Sequence, residues 1–559
     1  MDSLRQRSLV AAAALAAALV VVSTAGSAAA PAPTLTVTQV TPGLNDSSSG
    51  GYEPPDVSVA AGPGFVMELV NLAARTWRTD TGVPQEVATQ GLGAFFHAAG
   101  NDRLTDPRIL YDAQSGRWFA SISDVDTNSV LLAVSHASDP TAGWSEHSYE
   151  ASGCPDQPRL GVADGVVVLA ADVFRSCDEA FSPALGDELW IVNKQQLVAD
   201  AGSPSFTTYG PDRAYEGLAP VQSMSSTSTE YAVGVDVPSS RVAHLIALDG
   251  VPPAAVRVEE IAAVPISPLS PPPSAQQPAT GSGRREPSIE TNDERVLDSV
   301  WENGKLWFSA NTGCTPPGDS ALRSCARVIE LATATRSVDW DTDLSDAGSY
   351  LFYPALRPDS SGNLAIVYGK AGAAVLPQLV AVGRAPDGSL SAPAVVAQSA
   401  GQHEGGRYGD YFGAARDPAH PELVWVAGEY GVDVQGVRGW STSLAAVQVT
   451  SAGVTPPVVR ASVPGVQARA VTGRAGVAIR LAYAALGDGA AVRQRVVVRA
   501  KNAVVFTATT TGGSLAGGQG YYVLWHPAKR LRGTFSWCVR SISADGTRSP
   551  QSCSTVTLH

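Results

Sequence analysis

Several catalytic signatures are missing from this sequence. It has no H-E-x-x-H zinc motif, no G-x-S-x-G nucleophile elbow and no phosphate-binding P-loop. No C-x-x-C pair occurs among its six cysteines, which argues against a zinc ribbon or a thioredoxin-like site. The sequence therefore gives no support to a protease, an esterase or a nucleotide-binding protein.

Long apolar runs are also missing, apart from one at the N-terminus. Arg5 and Arg7 precede an apolar run from Leu9 to Val22, and small residues follow up to Ala30. This order predicts a signal peptide over residues 1–30, cleaved before Pro31, with an uncleaved membrane anchor as the alternative. We expect a secreted, extracellular protein that is not transmembrane and that is a monomer.

Cysteine is scarce, and the six cysteines fall in three close pairs. An oxidising compartment favours disulfides, and partners that share a loop or hairpin are the simplest to join. We therefore predict three structural disulfides, which are Cys154 with Cys177, Cys314 with Cys325, and Cys538 with Cys553.

Methionine and lysine are scarce, whereas Gly, Pro, Ser, Thr and Val are abundant, which is typical of all-β proteins. Charge is distributed unevenly. From Thr455 to His559 the chain has 13 Lys plus Arg against Asp488 and Asp545, a net of +11, although the whole chain carries −13. An acidic body followed by a basic tail indicates more than one domain.

One phrase recurs along the body. A turn residue, often Pro, leads into a short strand, a tight turn and an apolar second strand, as in "PRILYDAQSGRWFASISD" from Pro107. Such starts are separated by 51 to 67 residues. Each is followed by a second strand pair, so that every unit has four short strands. This pattern predicts the blades of a β-propeller. The starts are Pro55, Pro107, Pro158, Pro220, Pro287, Pro354 and Asp410.

We predict an all-β fold, a seven-bladed β-propeller over residues 51–450 followed by a small β-sandwich over residues 466–559. Six blades are the alternative, because the fourth unit is irregular and carries the insert "SPLSPPPSAQQPATGSG", which we expect to be a flexible surface loop. Residues 31–50 and 451–465 are predicted linkers. The final hairpin of the sandwich resembles that of a fibronectin type III or Ig-like domain.

In a propeller, the segments that lead into the innermost strands meet at one mouth of the central channel. Nearly every unit supplies a charged or phenolic side chain there, and carboxylates with arginines and tyrosines suit a sugar-processing site. Each has a structural alternative as a turn cap, a rim ion pair or a solvated loop residue. These residues are Glu53, Asp56, Asp106, Arg108, Asp156, Arg159, Glu216, Arg285, Glu286, Tyr353, His403, Glu404, Arg407, Tyr408, Asp410 and Tyr411.

The repeated units, together with "RYGDYFGAARDP", "AQSGRWF" and "RPDSSGNLAIVY", resemble the broad group of sialidase-like propellers. The Asp-box of that group is not intact, since Ser115 to Trp118 keep only its turn and its aromatic residue. The resemblance implies an arginine triad drawn from the mouth arginines and a Tyr–Glu pair formed by Tyr408 or Tyr411 with Glu286.

We assign catalytic roles to Asp410, Glu286, Tyr411 and Asp106. Substrate-binding roles fall to the other mouth side chains, which are Arg108, Arg159, Arg285, Arg407, Tyr353, Tyr408 and Asp56. The predicted function is that of a secreted carbohydrate-active propeller, a glycoside hydrolase or lyase. The alternative is a non-catalytic propeller that binds a glycan or a protein.

No cofactor is predicted. Calcium has weak support only, because the acidic runs at 124–128 and 339–343 lack the glycine and the bidentate glutamate of a calcium loop. The basic tail favours an anionic polymer of the cell wall or an extracellular glycan, with a simple spacer as the alternative. We expect no specific nucleic-acid partner.

Overall fold

The structure is a computed structural model. It describes residues 31–80, 82–99, 103–179, 182–279, 288–434, 437–451, 465–486, 489–501, 503–516, 518–543, 546, 548–549 and 551–559. The predicted signal peptide, most of the predicted linker 451–465, and both Arg285 and Glu286 lie outside these residues. Residues 32–559 form one compact unit. No helix of the described residues is long and apolar enough to cross a membrane.

The described chain is almost entirely β-structure, as predicted, with two short helices, α1 (Leu92–Phe95) and α2 (Lys194–Val198). After β1 (Thr34–Asn45), the strands follow in antiparallel units of four. The first unit is β2 (Ser58–Gly62), β3 (Phe65–Val70), β4 (Ala73–Arg78) and β5 (Gln85–Gly91). The second is β6 (Leu104–Asp112), β7 (Arg117–Asp124), β8 (Ser129–Ser135) and β9 (Trp144–Glu150). The third is β10 (Cys154–Val162), β11 (Val166–Phe174), β12 (Ala184–Asn193) and β13 (Phe206–Asp212).

The fourth unit, on which the six-bladed alternative depended, is also a four-stranded antiparallel sheet. It consists of β14 (Glu216–Pro220), β16 (Thr229–Val235), β17 (Val242–Asp249) and β18 (Arg257–Pro265), and β15 (Gln222–Ser223) pairs in parallel with the third and fifth units. The fifth is β19 (Val296–Glu302), β20 (Lys305–Cys314), β21 (Arg323–Ala332) and β22 (Ser337–Leu344). The sixth is β23 (Ser349–Pro358), β24 (Leu364–Gly372), β25 (Val375–Arg384) and β26 (Ala394–Gln398).

The seventh unit combines both ends of the propeller. It contains β27 (Gly413–Arg416), β28 (Leu423–Val434) and β29 (Val437–Thr450), and its fourth strand is β1, which pairs antiparallel with β29. The linker predicted for residues 31–50 is therefore wrong, because Thr34–Asn45 supply the outermost strand of this unit. Pairing the first strand with the last unit ties the two ends of the ring together.

The first strands of the seven units form a closed ring. Each contacts the next in chain order, from β2 through β6, β10, β14, β19 and β23 to β27, and β27 contacts β2. Neighbouring units also share buried apolar clusters. Trp118, for example, packs between the first and second units, and Phe119 between the second and third. The structure is thus a β-propeller, whose units radiate from a common channel.

Local sequence explains the tight hairpins that open the units. In the fifth unit, Asn303 and Gly304 link the paired residues Glu302 and Lys305 with φ of 50° and 86°. Two successive residues with positive φ are what a two-residue hairpin turn requires, and Asn-Gly tolerates this best. In the second unit, Gly116, with φ of 67°, ends a four-residue connection between the paired residues Asp112 and Arg117.

Two predictions around the Pro-rich insert are wrong. The fifth unit starts at Val296, not at Pro287, so the segment before it is not an innermost strand. The described part of the insert is also not a flexible surface loop. Leu269 and Ala275 are buried, Leu269 N–H donates to Ser240, and Ala275 forms a β-bridge with Ile289. These few apolar residues suffice because the insert packs against existing units and needs no core of its own.

The C-terminal domain consists of two sheets around one apolar core. The smaller sheet contains β30 (Val466–Ala468), β32 (Ile479–Ala485) and β36 (Gly520–Trp525). The larger contains β31 (Val471–Gly473), β33 (Gly489–Ala500), β34 (Ala503–Thr509), β35 (Gly513–Leu515), β37 (Gly533–Ile542) and β38 (Ser552–Leu558). This is a β-sandwich, as predicted, whereas its fibronectin-like type stays a prediction.

The sandwich packs on the seventh propeller unit. Gln467 is buried and donates to the carbonyls of Gly43 and Leu44 at 2.8 and 3.1 Å, and it accepts a hydrogen bond from Tyr430. Leu486 belongs to the apolar cluster between the sixth and seventh units.

The three predicted disulfides are confirmed, with Cα–Cα distances of 5.1, 5.9 and 4.0 Å. Each closes a local loop or hairpin, and the pairs are Cys154–Cys177, Cys314–Cys325 and Cys538–Cys553.

Candidate functional site

A repeated backbone feature aims side chains at one mouth of the channel. In several units, the pairing of the innermost strand with its neighbour is interrupted near the start of the strand. The residue two positions before the pairing resumes has positive φ. Bulges of this kind bend a strand and redirect a side chain. The non-glycine residues at these places are Asp56, Asp106, Gln157 and Tyr353, with φ of 50°, 60°, 45° and 55°.

Three buried carboxylates meet at this mouth. Asp56, Asp106 and Asp410 come from the first, second and seventh units, and one oxygen of each lies within 4.8 Å of the others. Their residues are 1, 4 and 6% exposed. We call them the aspartate cluster. Sequence analysis selected all three, and the structure brings them together.

Asn71 holds the cluster in place. Its Nδ2 donates to Asp56 at 2.7 Å, and its Oδ1 accepts the backbone N–H of Asp106 at 2.9 Å. Asp56 also accepts the backbone N–H of Asp410 at 2.6 Å. Asn71 was not among the predicted site residues, because it follows the second strand of its unit, whereas the predicted residues lead into the first strands.

Burial and mutual repulsion favour protonated carboxyl groups here. Burial, then the charges of Asp410 and Asp106, raise the pKa of Asp56 well above its usual value, and a hydrogen bond with Asp106 adds to the effect. Burial also raises the pKa of Asp410, although the charge of Arg407 opposes it. A fourth carboxyl nearby, Asp156, has its pKa raised to about 7 by burial and then by Asp106 and Asp172.

Polar and aromatic groups surround the cluster on its solvent side. Arg407 makes an ion pair with Asp410 and lies 3.9 Å from Glu290, and the side chains of Arg407 and Glu290 are 50 and 60% exposed. The side chain of Tyr52 is partly exposed. Its partial burial raises the pKa of its hydroxyl group, and the charges of Asp106 and Asp56 raise this pKa further. Sequence analysis missed Tyr52 and Glu290, which lie outside the immediate approach to the strands.

The predicted tyrosines are buried, and their hydroxyl groups bond to backbone carbonyls. Tyr353 donates to Glu290 at 2.8 Å, Tyr408 to Glu429 at 3.1 Å, and Tyr411 to Pro107 at 2.9 Å. These contacts orient the three rings as packing elements. None of the three tyrosines has an exposed hydroxyl group with which it could perform the substrate-binding or catalytic role predicted for it.

The predicted arginines separate into different settings. The Arg108 guanidinium lies 3.3 Å from the ring centre of Tyr411, and its Nη1 donates to Leu297 at 3.3 Å. Arg159 makes two hydrogen bonds to Asp172, at 3.2 and 3.1 Å, instead of pairing with Asp156. Among the described residues, the Nε of Arg108 has no hydrogen-bond partner.

Below the cluster, the channel narrows to a cavity of about 50 Å³ that all seven innermost strands line. Its polar lining includes Arg108, Arg159, Arg357 and Asp298. Arg357 pairs with Asp298. This volume holds a few water molecules but not a sugar ring, so a larger ligand that contacts the aspartate cluster has to approach it from the mouth.

A second titratable cluster lies beside the mouth. His403 bridges Glu53 at 3.2 Å and Glu429 at 3.6 Å. Glu429 is fully buried, burial raises its pKa well above the usual value, and neither of its oxygens has a hydrogen-bond partner among the described residues. Sequence analysis named Glu53 and His403 but missed Glu429, which lies within the second strand of the seventh unit.

The remaining predicted mouth residues contribute less. Glu216 starts β14 and is exposed, and Glu404 is exposed in the loop before β27. Arg285 and Glu286 lie outside the described residues, and the strand that they were expected to precede starts later, at Val296.

The aspartate cluster is the one group of the described residues whose carboxylates converge closely enough to hold a cation. Neither acidic run that suggested calcium does so. Asp124 accepts the backbone N–H groups of Asp126 and Thr127, as in a turn, and Asp341 and Asp343 pair with Arg327.

Neither a protein-family model nor a curated protein sequence matches the chain. Among solved structures, a protein of unknown function from Dyadobacter fermentans is 11% identical with a TM-score of 0.35, covering 75% of this chain and 100% of that one. The Dos1 propeller is 10% identical with a TM-score of 0.35, covering 77% and 97%. An endo-arabinase from Bacteroides thetaiotaomicron is 10% identical with a TM-score of 0.27, covering 63% and 95%. The likeness concerns the fold alone.

Proposed function

We propose that this protein is an exported, carbohydrate-active propeller that hydrolyses glycosidic bonds at the mouth of its channel. The observation that carries the proposal is the aspartate cluster, in which three buried carboxylates from separate units approach within 4.8 Å. Glycosidases use two carboxyl groups, one to protonate the leaving oxygen and one to attack the sugar or activate water.

The hydrogen bonds of the cluster support a division of roles. Asp410 makes an ion pair with Arg407, whose charge opposes the effect of burial on the pKa of Asp410, and we assign to Asp410 the role of nucleophile or base. The raised pKa of Asp56 favours a proton on Asp56 beside Asp106, and we assign the role of general acid to Asp106. Asp56 then positions Asp106 and takes no part in bond making. Carboxyl groups this close, with one oxygen of each within 4.8 Å of the others, fit hydrolysis with retention of configuration better than inversion.

The sugar would lie above the cluster, because the channel cavity is too small for it. Arg407, Glu290 and Tyr52 present exposed polar and aromatic surface there. An aromatic ring can stack on the apolar face of a sugar, and the charged pair can bond its hydroxyl groups.

A second candidate function is glycan binding without turnover. The ion pair between Arg407 and Asp410 favours it, since a carboxylate held by an arginine can also act as a fixed part of a polar binding surface. The mouth would then recognise a sugar through the same exposed groups. A lyase remains a third reaction class, because it too needs a base and a positively charged neighbour.

Turnover distinguishes these functions. The full chain is incubated with a panel of neutral and acidic glycans, and both reducing ends and unsaturated products are measured. Asp106→Asn and Asp410→Asn should abolish release of reducing ends, and Asn suits position 106 because it tolerates a φ of 60°. The matched control is Asp126→Asn, an exposed carboxylate paired with Arg103 away from the cluster.

Three outcomes are informative. Loss in both cluster variants with normal turnover in the control supports the hydrolase. Unsaturated products identify a lyase instead. If the unmodified protein releases no sugar from any glycan but binds one, and Asp410→Asn weakens that binding, the binding function replaces the enzymatic one.

Export is part of the proposal. Three disulfides suit an oxidising compartment. N-terminal sequencing of the exported protein should begin at Pro31, whereas a chain that keeps residues 1–30 would favour the anchor.

A further inference from the structure

The outer face of the larger sheet in the C-terminal domain is basic. Along β33, alternate residues from Val492 to Val498 are buried, while the arginines between them are exposed. This alternation places every second side chain of a strand on the same face. We call this surface the arginine face; it consists of Arg493, Arg495, Arg499, Arg540 and Arg548.

Strand pairing concentrates these charges. Arg495 of β33 is directly opposite Arg540 of β37. Arg493 is opposite Ile542, which forms a bridge with Arg548. Opposed side chains in such pairs are about 5 Å apart at Cβ. Burial, then the charges of Arg548 and Arg495, lower the pKa of Arg540, as expected where cations crowd together.

No acidic side chain of the described residues balances this charge. The sequence from 465 to 559 contains Asp488 and Asp545 as its only acids, and both lie outside the described residues. Arg469 of the domain pairs with Asp46 of the propeller, on another surface. Like charges directly opposite each other destabilise a sheet, so a partner that neutralises them would be bound favourably.

The arginine face is not covered by the propeller. Contacts with the propeller come from the smaller sheet, through Gln467, Ala484 and Leu486. Arg493, Arg495 and Arg499 remain exposed in the full chain.

We propose that the arginine face binds an acidic polysaccharide whose carboxylates engage the guanidinium groups along β33 and β37. Guanidinium groups match carboxylates in shape and charge. Arginines two residues apart on a strand are about 7 Å apart, which suits a polymer with carboxylates on successive or alternate sugars. A ligand of this kind adds a retention site to the propeller and does not depend on turnover there.

Duplex DNA fits this face poorly. It carries a charge about every 1.7 Å along its axis, far denser than the arginine rows. Its major groove admits a two-stranded ribbon. The larger sheet has five strands side by side, from β31 to β34, and is therefore too wide for the groove. The acidic remainder of the chain would also repel so dense a polyanion.

The test is a binding measurement with polygalacturonate as the probe, and with duplex DNA and neutral dextran as comparisons. It uses the full exported chain carrying Asp106→Asn, so that turnover does not interfere. The variant Arg493→Gln/Arg495→Gln/Arg499→Gln should weaken polygalacturonate binding by about tenfold or more. The control Lys529→Gln/Arg530→Gln/Arg532→Gln removes the same charge from exposed residues between β36 and β37 and should change the affinity by less than about twofold.

Salt dependence gives a second measurement that needs no triple variant. Arg495→Gln alone should lower the slope of log affinity against log salt, whereas Arg530→Gln should not. The proposal is overturned if both triple variants weaken binding equally, if duplex DNA binds more tightly than polygalacturonate, or if polygalacturonate does not bind. Turnover in the glycan panel would be unaffected by any of these results.

Discussion

The backbone N–H of Asp410 donates a hydrogen bond of 2.6 Å to the carboxylate of Asp56, although 354 positions separate the two residues in the chain. The bond crosses the point where the first and seventh units meet. The aspartate cluster can therefore form only when the first and seventh units have come together and the propeller is closed.

Asp56→Ala should destabilise the protein and abolish turnover together. The substitution leaves the N–H of Asp410 and the amide of Asn71 without their acceptor in a buried place. Each such loss costs about 1–3 kcal/mol. Urea unfolding of the full chain should show a decrease of roughly 2–6 kcal/mol in the free energy of unfolding. A decrease below about 0.5 kcal/mol would contradict a structural role for Asp56.

Tyr411→Phe should retain turnover, in contrast to the catalytic role that the sequence suggested for Tyr411. Its hydroxyl donates to the Pro107 carbonyl, and its ring covers the Arg108 guanidinium. Phenylalanine keeps the ring contact and loses one hydrogen bond, at a cost of about 1 kcal/mol.

The measurement that checks Tyr411 is kcat with and without the substitution, beside thermal unfolding. Tyr411→Ala serves as the comparison, since it uncovers Arg108 and should destabilise by roughly 3–5 kcal/mol. A loss of turnover in Tyr411→Phe with unchanged stability would restore the tyrosine as a reacting group.

Most of the fold could be predicted from the repeated sequence pattern. Alternating apolar strands and turn residues such as Asn303 and Gly304 are local signals, so the all-β propeller, the sandwich and the three disulfides were predictable. The strand β1 was not, because it pairs with a partner some 400 residues later and has no second copy of the phrase beside it. The late start of the fifth unit was not predicted, because Pro287, which follows the Pro-rich insert, resembles the Pro that begins other units.

The site was predictable only in part for the same reason. Asp56 and Asp410 precede innermost strands and Asp106 lies near the start of one, so their convergence follows from the ring. Asn71, Glu290 and Glu429 occupy other places in their units, and no spacing in the sequence connects them with the mouth. Buried hydroxyl contacts of Tyr353, Tyr408 and Tyr411 likewise depend on neighbours that only the folded chain brings near.

Stability should fall as pH rises, with Glu68 as one cause. This residue is fully buried where the first unit meets the seventh, and burial raises its pKa to about 7 although it accepts the N–H of Leu44 at 2.8 Å. An acid whose pKa is higher in the folded state binds more protons there than when unfolded. Its contribution is therefore complete below the unfolded pKa and is lost as pH rises through about 7.

Glu68→Gln tests this contribution, because glutamine imitates the protonated acid and keeps an acceptor for Leu44. Between acidic and mildly alkaline pH, the unmodified chain should lose roughly 3 kcal/mol more than the variant. Chemical unfolding at several pH values measures this difference, and Glu259→Gln, an exposed residue on β18, is the control. Parallel pH curves for the chain and Glu68→Gln would assign the pH dependence to other groups.

Chelation of divalent cations should leave turnover and the midpoint of thermal unfolding unchanged. Both carboxylate oxygens of Asp56 already accept hydrogen bonds, one from the side chain of Asn71 and one from the backbone N–H of Asp410. Arg407 makes an ion pair with Asp410 and so neutralises its charge. The raised pKa of Asp56 favours its protonated form, and this proton, which a bound cation would displace, relieves the remaining repulsion. The measurement compares the full chain in EDTA and in calcium at acidic and at neutral pH. A calcium-dependent rise in the midpoint of thermal unfolding that disappears in Asp106→Asn, but persists in Asp126→Asn, would show that the cluster holds a cation instead of a proton. The acid–base roles proposed for the cluster would then have to be abandoned.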